Sequence, residues 1–172
     1  MKPAMSNLKK FHESWSHPDY RPMTVNEGDL RALEENLGIT LPTSYLSQLL
    51  EVGLPSPTAK LWDWLSEKDN RHFKWLNRFP PLAMILPERA PHLADFHYPT
   101  DAQEALAWRE AGMPKRLLPF AYDSSGNQIC FDMEALRGGS PSEAPVIFWD
   151  HDFLTTTKLA KSFDAFLKLY LP

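Results

Sequence analysis

The fold of this chain is decided by the stretch LLPFAY-DSSGN-QICFD, residues 117–132. Its first and last runs, 117–122 and 128–132, are rich in the apolar and aromatic residues that favour strands. The five residues between them, 123–127, are all turn formers, and Gly126 suits a backbone conformation that side chains disfavour. The stretch therefore predicts a β-hairpin.

Toward the C-terminus, the pattern continues the sheet and then covers it. A loop over residues 137–142 leads to a predicted third strand, 146–149 (VIFW). A closing helix is predicted to start near Thr157, with one apolar face. That face is predicted to contain Leu159, Phe163, Phe166, Leu167 and Tyr170.

Toward the N-terminus, the sequence predicts a pair of helices behind a lead-in of residues 1–23, in which Ser6 could cap a short helix containing Leu8, Phe11 and Trp15. The first helix of the pair has the form of a capping box, Thr24 with Glu27, and ends at Gly38. The second begins at Pro42 and ends at Gly53. Their predicted buried residues are Leu30, Leu33 and Leu37, then Tyr45, Leu46, Leu49 and Leu50.

The middle segment, residues 54–116, is rich in tryptophan and proline and is predicted to be partly helical. Short helices are expected over 61–65 and 73–79, the second stopped by two prolines. A short strand around 84–86 and irregular chain up to residue 99 follow. A helix is then predicted over 101–111, with Ala102, Ala105, Leu106 and Trp108 inside and Gly112 at its end.

Together these elements predict an α+β fold. An N-terminal helix pair precedes an antiparallel meander, and the C-terminal helix covers one face of the sheet. The length of 172 residues suits a single domain spanning the whole chain.

Charge and composition limit the classes of partner that the chain can bind and the cellular compartment that it suits. The formal charge of −4 argues against a nucleic-acid binder, which needs a basic face. Cys130 is the only cysteine, and the polar N-terminus lacks the apolar core of a signal peptide. The apolar run 81–87 is far shorter than the ~20 residues that cross a bilayer. We therefore expect a cytoplasmic protein that binds neither nucleic acid nor membrane.

Four segments resemble the SUKH superfamily, and they occur in that family's order. They are ITLP with the following helix to Gly53, the hairpin LPFAYDSSGN, the strand end VIFWDHD, and the closing helix LAKSFDAFL. They cover roughly a third of the chain. The resemblance implies one SUKH-like domain over residues 1–172. The segment 54–116 departs from the family's expected early strands.

The superfamily includes a fungal regulator of cell-wall assembly and many bacterial immunity proteins. The resemblance therefore implies a cytoplasmic, non-catalytic bacterial protein that binds and neutralises a cognate protein toxin of the nuclease or deaminase type. It implies no cofactor and no small-molecule substrate. A regulatory scaffold with several protein partners is the alternative, and a metal-dependent enzyme is the third hypothesis.

Motifs that could support catalysis are weak. Asp150 and Asp152 are the candidate metal ligands, but two carboxylates are too few for a hard cation without further donors. The calcium-like spacing that begins at Asp123 has Gln128 where a glycine is required, so a hairpin turn is favoured. Cys130 has no evident base and favours a packing role. The histidine pairs 12/17 and 92/97 do not have metal-site spacing, and no glycine-rich phosphate loop is present.

The tryptophans of the middle segment have two interpretations. One is that they fill a core, as most buried tryptophans do. The other is that they form a partner-binding face, because tryptophan is enriched at interface hot spots. Neighbouring carboxylates would give that face an acidic rim suited to a basic toxin. The predicted partner-binding residues are Trp62, Asp63, Trp64, Glu67, Asp69 and Trp75.

Overall fold

The structure, a computed structural model, describes residues 4–73, 88–137 and 142–172. Within these residues, four α-helices precede a single antiparallel sheet and one α-helix follows it, an α+β fold that confirms the predicted class. The α-helices in these ranges are α1 Asn7–Trp15, α2 Glu27–Leu37, α3 Thr43–Val52, α4 Ala59–Phe73, α5 Pro99–Glu104 and α6 Phe163–Lys168. The strands are β1 Leu93–Phe96, β2 Leu117–Asp123, β3 Gln128–Asp132, β4 Val146–Asp150 and β5 Thr155–Ala160.

The five strands form one antiparallel meander in the order β1-β2-β3-β4-β5. The predicted hairpin is β2–β3, and the predicted third strand is β4, so both predictions are confirmed. Strand β1 lies in a segment predicted to be irregular, so that prediction was wrong. Strand β1 has only four residues, and its register with β2 shifts between Leu93 and Asp95. Buried and partly exposed residues therefore do not alternate along it, and no strand pattern appears in the sequence.

Helices α1, α3 and α6 cover one face of the sheet with an aromatic core. The Tyr45 ring lies 5.1 Å from both the Phe131 ring and the Phe163 ring, in edge-to-face contacts. Phe120 stacks on Phe131 with their centroids 4.2 Å apart. Such pairs add to the large apolar area that each ring removes from water. Leu50 was predicted to be buried with Tyr45, but it is exposed on the other side of α3.

Helix α1 is part of this core. Leu8 and Phe11 are fully buried, and the Trp15 indole N–H donates to the Tyr170 carbonyl at 2.7 Å. The predicted helix is therefore confirmed, but its Ser6 cap is wrong, because that side chain makes no capping hydrogen bond.

The cap of α2 also differs from prediction. Instead of a Thr24–Glu27 capping box, the Asn26 side chain accepts a hydrogen bond from the Gly28 N–H at 2.7 Å. Asparagine can accept a hydrogen bond from the unpaired N–H groups of a helix as threonine does, and Asn26 is the residue directly before α2. The predicted end at Gly38 is confirmed, with φ +62° in the left-handed region.

The closing helix starts later than predicted. Residues Thr155–Ala160 form β5, and α6 begins at Phe163 behind Ser162, whose hydroxyl accepts from the Ala165 N–H at 3.1 Å. Consecutive threonines favour a strand because their branched side chains suit a pleated sheet. Leu159 is therefore a buried strand residue rather than part of the helix.

The second face of the sheet carries a smaller apolar cluster, built from Met113, Leu117, Cys130, Ile147 and Trp149. A 3₁₀ helix, Ala105–Ala111, lies against it, and the Trp108 ring contacts the Trp149 ring at 5.6 Å. The helix predicted over 101–111 is thus α5 followed by this 3₁₀ helix, and Gly112 ends it with φ +104°. Most of the helix predicted over 73–79 and the strand predicted at 84–86 lie outside the described residues.

Candidate partner-binding surface

Helix α4 presents most of the residues predicted to bind a partner. It follows a loop in which both the backbone N–H and the hydroxyl of Thr58 donate to the Trp15 carbonyl, at 2.9 and 2.6 Å. Leu61 and Leu65, four residues apart, are buried and hold one side of α4 against the core. The residues between them consequently face outward or sideways.

The two tryptophans of α4 have different environments. The Trp64 ring lies 5.0 Å from the Trp15 ring, and the Lys68 ammonium lies 4.6 Å from the Trp64 ring centre. Trp64 is half-buried by these contacts and extends the core. Trp62 is 49% exposed, although large aromatic side chains usually bury most of their surface. Only Trp62 therefore offers its ring to a partner.

The Trp62 ring packs against the His92 ring, which holds it in place. Their ring centres are 4.3 Å apart, and His92 is the residue before β1. The His92 Nε2 lies 3.2 Å from an Asp69 carboxylate oxygen, so α4 and the start of β1 are joined. A ring ordered in this way loses less side-chain entropy when it binds a partner.

The acidic residues of α4 divide into two groups. Asp69 is held between Arg89, at 3.0 Å, and His92, at 3.2 Å. Burial raises the pKa of Asp69, but the His92 hydrogen bond and the Arg89 charge outweigh it and leave the pKa below its ordinary value. Its charge is thus largely compensated within the molecule.

Asp63 and Glu67 are exposed and lie four residues apart on α4. That spacing brings side chains together on one helix face. We call Trp62, Asp63 and Glu67 the Trp62 patch. Trp75, the remaining residue predicted for this surface, lies outside the described residues.

Sequence reasoning missed Arg89 and His92 as members of this region. Their partner, Asp69, is separated from them by about twenty residues of sequence, and no local pattern links positions so far apart. The one available signal was the cluster of two histidines, a carboxylate and two aromatic residues over residues 92–98, which surrounds the unpredicted strand β1.

The candidate metal ligands, Asp150 and Asp152, lie in the turn at the end of β4, and Asp150 stabilises that turn. Asp150 is buried, and its Oδ1 accepts from the backbone N–H groups of Asp152 and Phe153, both at 2.9 Å. This is the usual role of aspartate at the start of a turn. Asp152 is exposed, and in the part of the chain that the structure describes, no three His, Cys, Asp or Glu side chains are grouped to hold a metal.

The neighbouring β2–β3 turn uses Asp123 in the same way. Its Oδ1 accepts from the N–H groups of Ser125 at 2.9 Å and Asn127 at 2.8 Å, and its Oδ2 accepts from the Asn127 side-chain amide at 3.0 Å. The Asn127 Oδ1 lies 2.7 Å from His151 Nδ1. The calcium-like spacing therefore corresponds to a hairpin turn, joined by Asn127 to the end of β4.

Cys130 lies in the second apolar cluster with no exposed surface. Burial raises the pKa of its thiol well above the ordinary value, because the charged thiolate would lose its water. Since the thiolate is the nucleophile, this environment suits packing rather than catalysis.

Comparison with known proteins agrees with the resemblance seen in the sequence. The model of the SMI1/KNR4 family (SUKH-1) matches residues 24–169. A Bacillus subtilis (strain 168) protein, described as SPbeta prophage-derived uncharacterized protein YokK, is 25% identical over 157 residues, covering 86% of this chain and 75% of that protein. None of the helices in the described ranges is long and apolar enough to cross a membrane.

Proposed function

Because the chain belongs to the SMI1/KNR4 family (SUKH-1), we propose that it is a non-catalytic immunity protein that binds and neutralises a cognate bacterial toxin. The observation that carries this proposal is the exposure of Trp62 beside Asp63 and Glu67 on α4. Tryptophan is enriched among the few residues that dominate interface energies. An exposed tryptophan already ordered by His92 is suited to be such an anchor.

The proposed mechanism is stoichiometric occlusion. A toxin that acts on nucleic acid needs a basic surface to hold phosphates, and that surface is complementary to the carboxylates of the Trp62 patch. An interface of ~800 Å² per partner is enough to cover an active site or its substrate groove. The exposed carboxylates speed association at low salt, because opposite charges steer the encounter.

The roles found for the chemically reactive side chains support a non-catalytic protein. The carboxylates of Asp123 and Asp150 accept backbone hydrogen bonds within turns. The Cys130 thiol is buried and held in its neutral form. Each of these groups thus has a structural use.

The proposal is tested by measuring the affinity of the purified protein for the toxin encoded beside its gene, with Trp62→Ala as the variant. Loss of an anchoring tryptophan costs ~2 kcal/mol or more, so Kd is expected to rise roughly 30-fold. The matched control is Phe153→Ala, which removes a ring that is 65% exposed in the β4–β5 turn. Its Kd is expected to stay within about twofold of wild type.

Two results would count against the proposal. One is that no neighbouring toxin binds, and the other is that Trp62→Ala and Phe153→Ala weaken binding equally. A pull-down that recovers many cellular proteins, without one tight partner, would favour the regulatory scaffold of the family's fungal member instead.

A further inference from the structure

A cavity of about 380 Å³ opens beside β1, at the edge of the sheet. One wall is the backbone pair formed by Met23 and Leu54, and another comes from the start of α5 and the end of β2. Its volume lies in the range of sites that hold small groups. The lining residues that matter here are Met23, Asp95, His97, Tyr98, Asp101 and Tyr122.

The charges in this cavity are unbalanced. Asp95 and Asp101 both line it, and its described lining contains no lysine or arginine. Over residues 4–73, 88–137 and 142–172, neither carboxylate takes part in an ion pair. This contrasts with Asp69, which two basic side chains compensate. The cavity therefore presents two carboxylates with no lysine or arginine beside them in its described lining, and the His97 charge acts on Asp95.

Asp95 is held at a definite position in the wall. Its Oδ1 accepts from the Phe96 N–H at 2.9 Å, and its carboxylate also accepts a hydrogen bond from the Ser56 side chain. Burial raises the pKa of Asp95 above its ordinary value, because the carboxylate has lost part of its water. A cation placed in the cavity would replace that lost solvation.

The Tyr122 hydroxyl lies close enough to both carboxylates to be affected by their charges. Burial, followed by the charges of Asp95 and Asp101, raises the pKa of the Tyr122 hydroxyl. The other titratable groups of the lining are Tyr98, whose hydroxyl donates to Asp29 at 2.7 Å, and His97. The His97 ring lies 5.0 Å from the Tyr122 ring, and its Nε2 is 2.8 Å from the Gln128 side-chain oxygen. The histidine is thus engaged with the sheet.

The apolar parts of the cavity suit the rest of a long cationic side chain. Met23 is exposed at the rim, although it is a large apolar residue, and it can cover methylene groups. The rings of Tyr98 and Tyr122 are among the walls, and tyrosine rings attract cations that lie over their faces. The two carboxylates and the apolar groups of the lining match the two ends of lysine or arginine.

We propose that this cavity receives the cationic end of a lysine or arginine side chain from the protein partner. The inference rests on the proposed binding function, since it supplies the partner, and it defines a second anchoring point. Asp95 is three residues beyond His92, or roughly 10 Å along an extended strand. One interface of ordinary size can therefore cover both the Trp62 patch and the cavity.

The test is a titration of the ¹⁵N-labelled full chain with N-acetyl-arginine amide and N-acetyl-lysine amide, followed by NMR. Saturable shifts are expected at the amides of Asp95, His97 and Tyr122, with weak affinity because one side chain makes few contacts. The double variant Asp95→Asn/Asp101→Asn is expected to raise Kd roughly tenfold, since both charge-assisted hydrogen bonds are lost. The matched control is Glu134→Gln, an exposed carboxylate near the opposite end of the β2–β3 hairpin, and its Kd should not change.

Asp101→Asn alone keeps the test valid if the double variant fails to fold, because Asp101 is exposed and its replacement disturbs no buried contact. That variant should still weaken binding of the arginine probe. Equal shifts with the uncharged N-acetyl-citrulline amide would overturn the inference, and so would the lack of any saturable shift. Spermidine binding about a hundredfold tighter than either amide would also overturn it, because the site would then be one for a small polyamine.

The titration contains no toxin, so its outcome is separate from that of the proposed function. If the cavity fails to bind the probes, toxin binding through the Trp62 patch is unaffected. If the probes bind but no toxin does, the immunity role is wrong while the cation site stands.

Discussion

Replacing Gly53 with alanine should destabilise the protein strongly, and the reason can be read from the backbone. Gly53 has φ +86° and ψ −165°, a region that side chains hardly ever adopt. A Cβ built on it would lie 2.4 Å from the Met23 carbonyl oxygen, which is a backbone atom. That carbonyl accepts from the Leu54 N–H at 2.8 Å, and the Met23 N–H donates to the Leu54 carbonyl at 2.9 Å.

The size of the effect follows from two contributions. The backbone strain costs about 1–3 kcal/mol. Moving Met23 away from the new methyl group disrupts two backbone hydrogen bonds, worth about 0.5–1.5 kcal/mol each. The sum for Gly53→Ala is about 2–6 kcal/mol, a large part of a total stability of about 5–15 kcal/mol. Gly38→Ala is the control, because φ there is +62° and nothing lies within 4 Å of the new Cβ. Its strain alone costs about 1–2 kcal/mol.

The assay is urea unfolding of both variants, followed by tryptophan fluorescence and compared with wild type. The midpoint should fall much further for Gly53→Ala than for Gly38→Ala, with the dependence on urea unchanged. A Gly53→Ala chain that does not fold, while Gly38→Ala does, would agree with the upper end of the range. Equal losses in the two variants would refute the reasoning, because the contact with Met23 is what separates them.

Three further predictions concern stability. Asp123→Ala should cost about 2–3 kcal/mol in urea unfolding, because it leaves buried turn donors without their acceptor, whereas Ser124→Ala should be nearly neutral; equal losses would contradict this. Since the folded-state pKa of Asp69 lies below its unfolded value, its stabilisation is present above pH 3.8 and is lost as the pH falls through the folded pKa. Asp69→Asn should therefore reduce the fall in the free energy of unfolding as the pH drops below 3.8. An unchanged fall in the variant would refute the role of the Asp69 ion pairs. Cys130→Ser should cost about 1–3 kcal/mol more than Cys130→Ala by thermal unfolding, because a hydroxyl would be buried without a partner; equal melting temperatures would count against it.

The parts of the fold that the sequence predicted well are those with strong local patterns. The β2–β3 hairpin has five turn formers between two apolar runs, and the aromatic face of α6 has helical spacing, so both were found. The start of α6 was misplaced because Leu159 lies at helical spacing from Phe163, although it belongs to β5. Periodicity alone could not show that Leu159 and Phe163 belong to different elements.

The candidate surface was less predictable because long-range contacts determine it. Trp62 and Trp64 are two residues apart in one helix, and only the position of Trp15 shows which of them is covered. Asp69 looked like part of an acidic rim until the structure placed Arg89 and His92 beside it. Strand β1, which positions His92 and Asp95, has too few residues and too irregular a register to leave a sequence pattern.

The most direct test of the account is a titration of the neighbouring toxin's activity with this protein. If the protein is an occluding immunity partner, activity should fall in proportion to the protein added and vanish at about one equivalent, as expected for tight binding. Full toxin activity in the presence of saturating, bound protein would contradict the account.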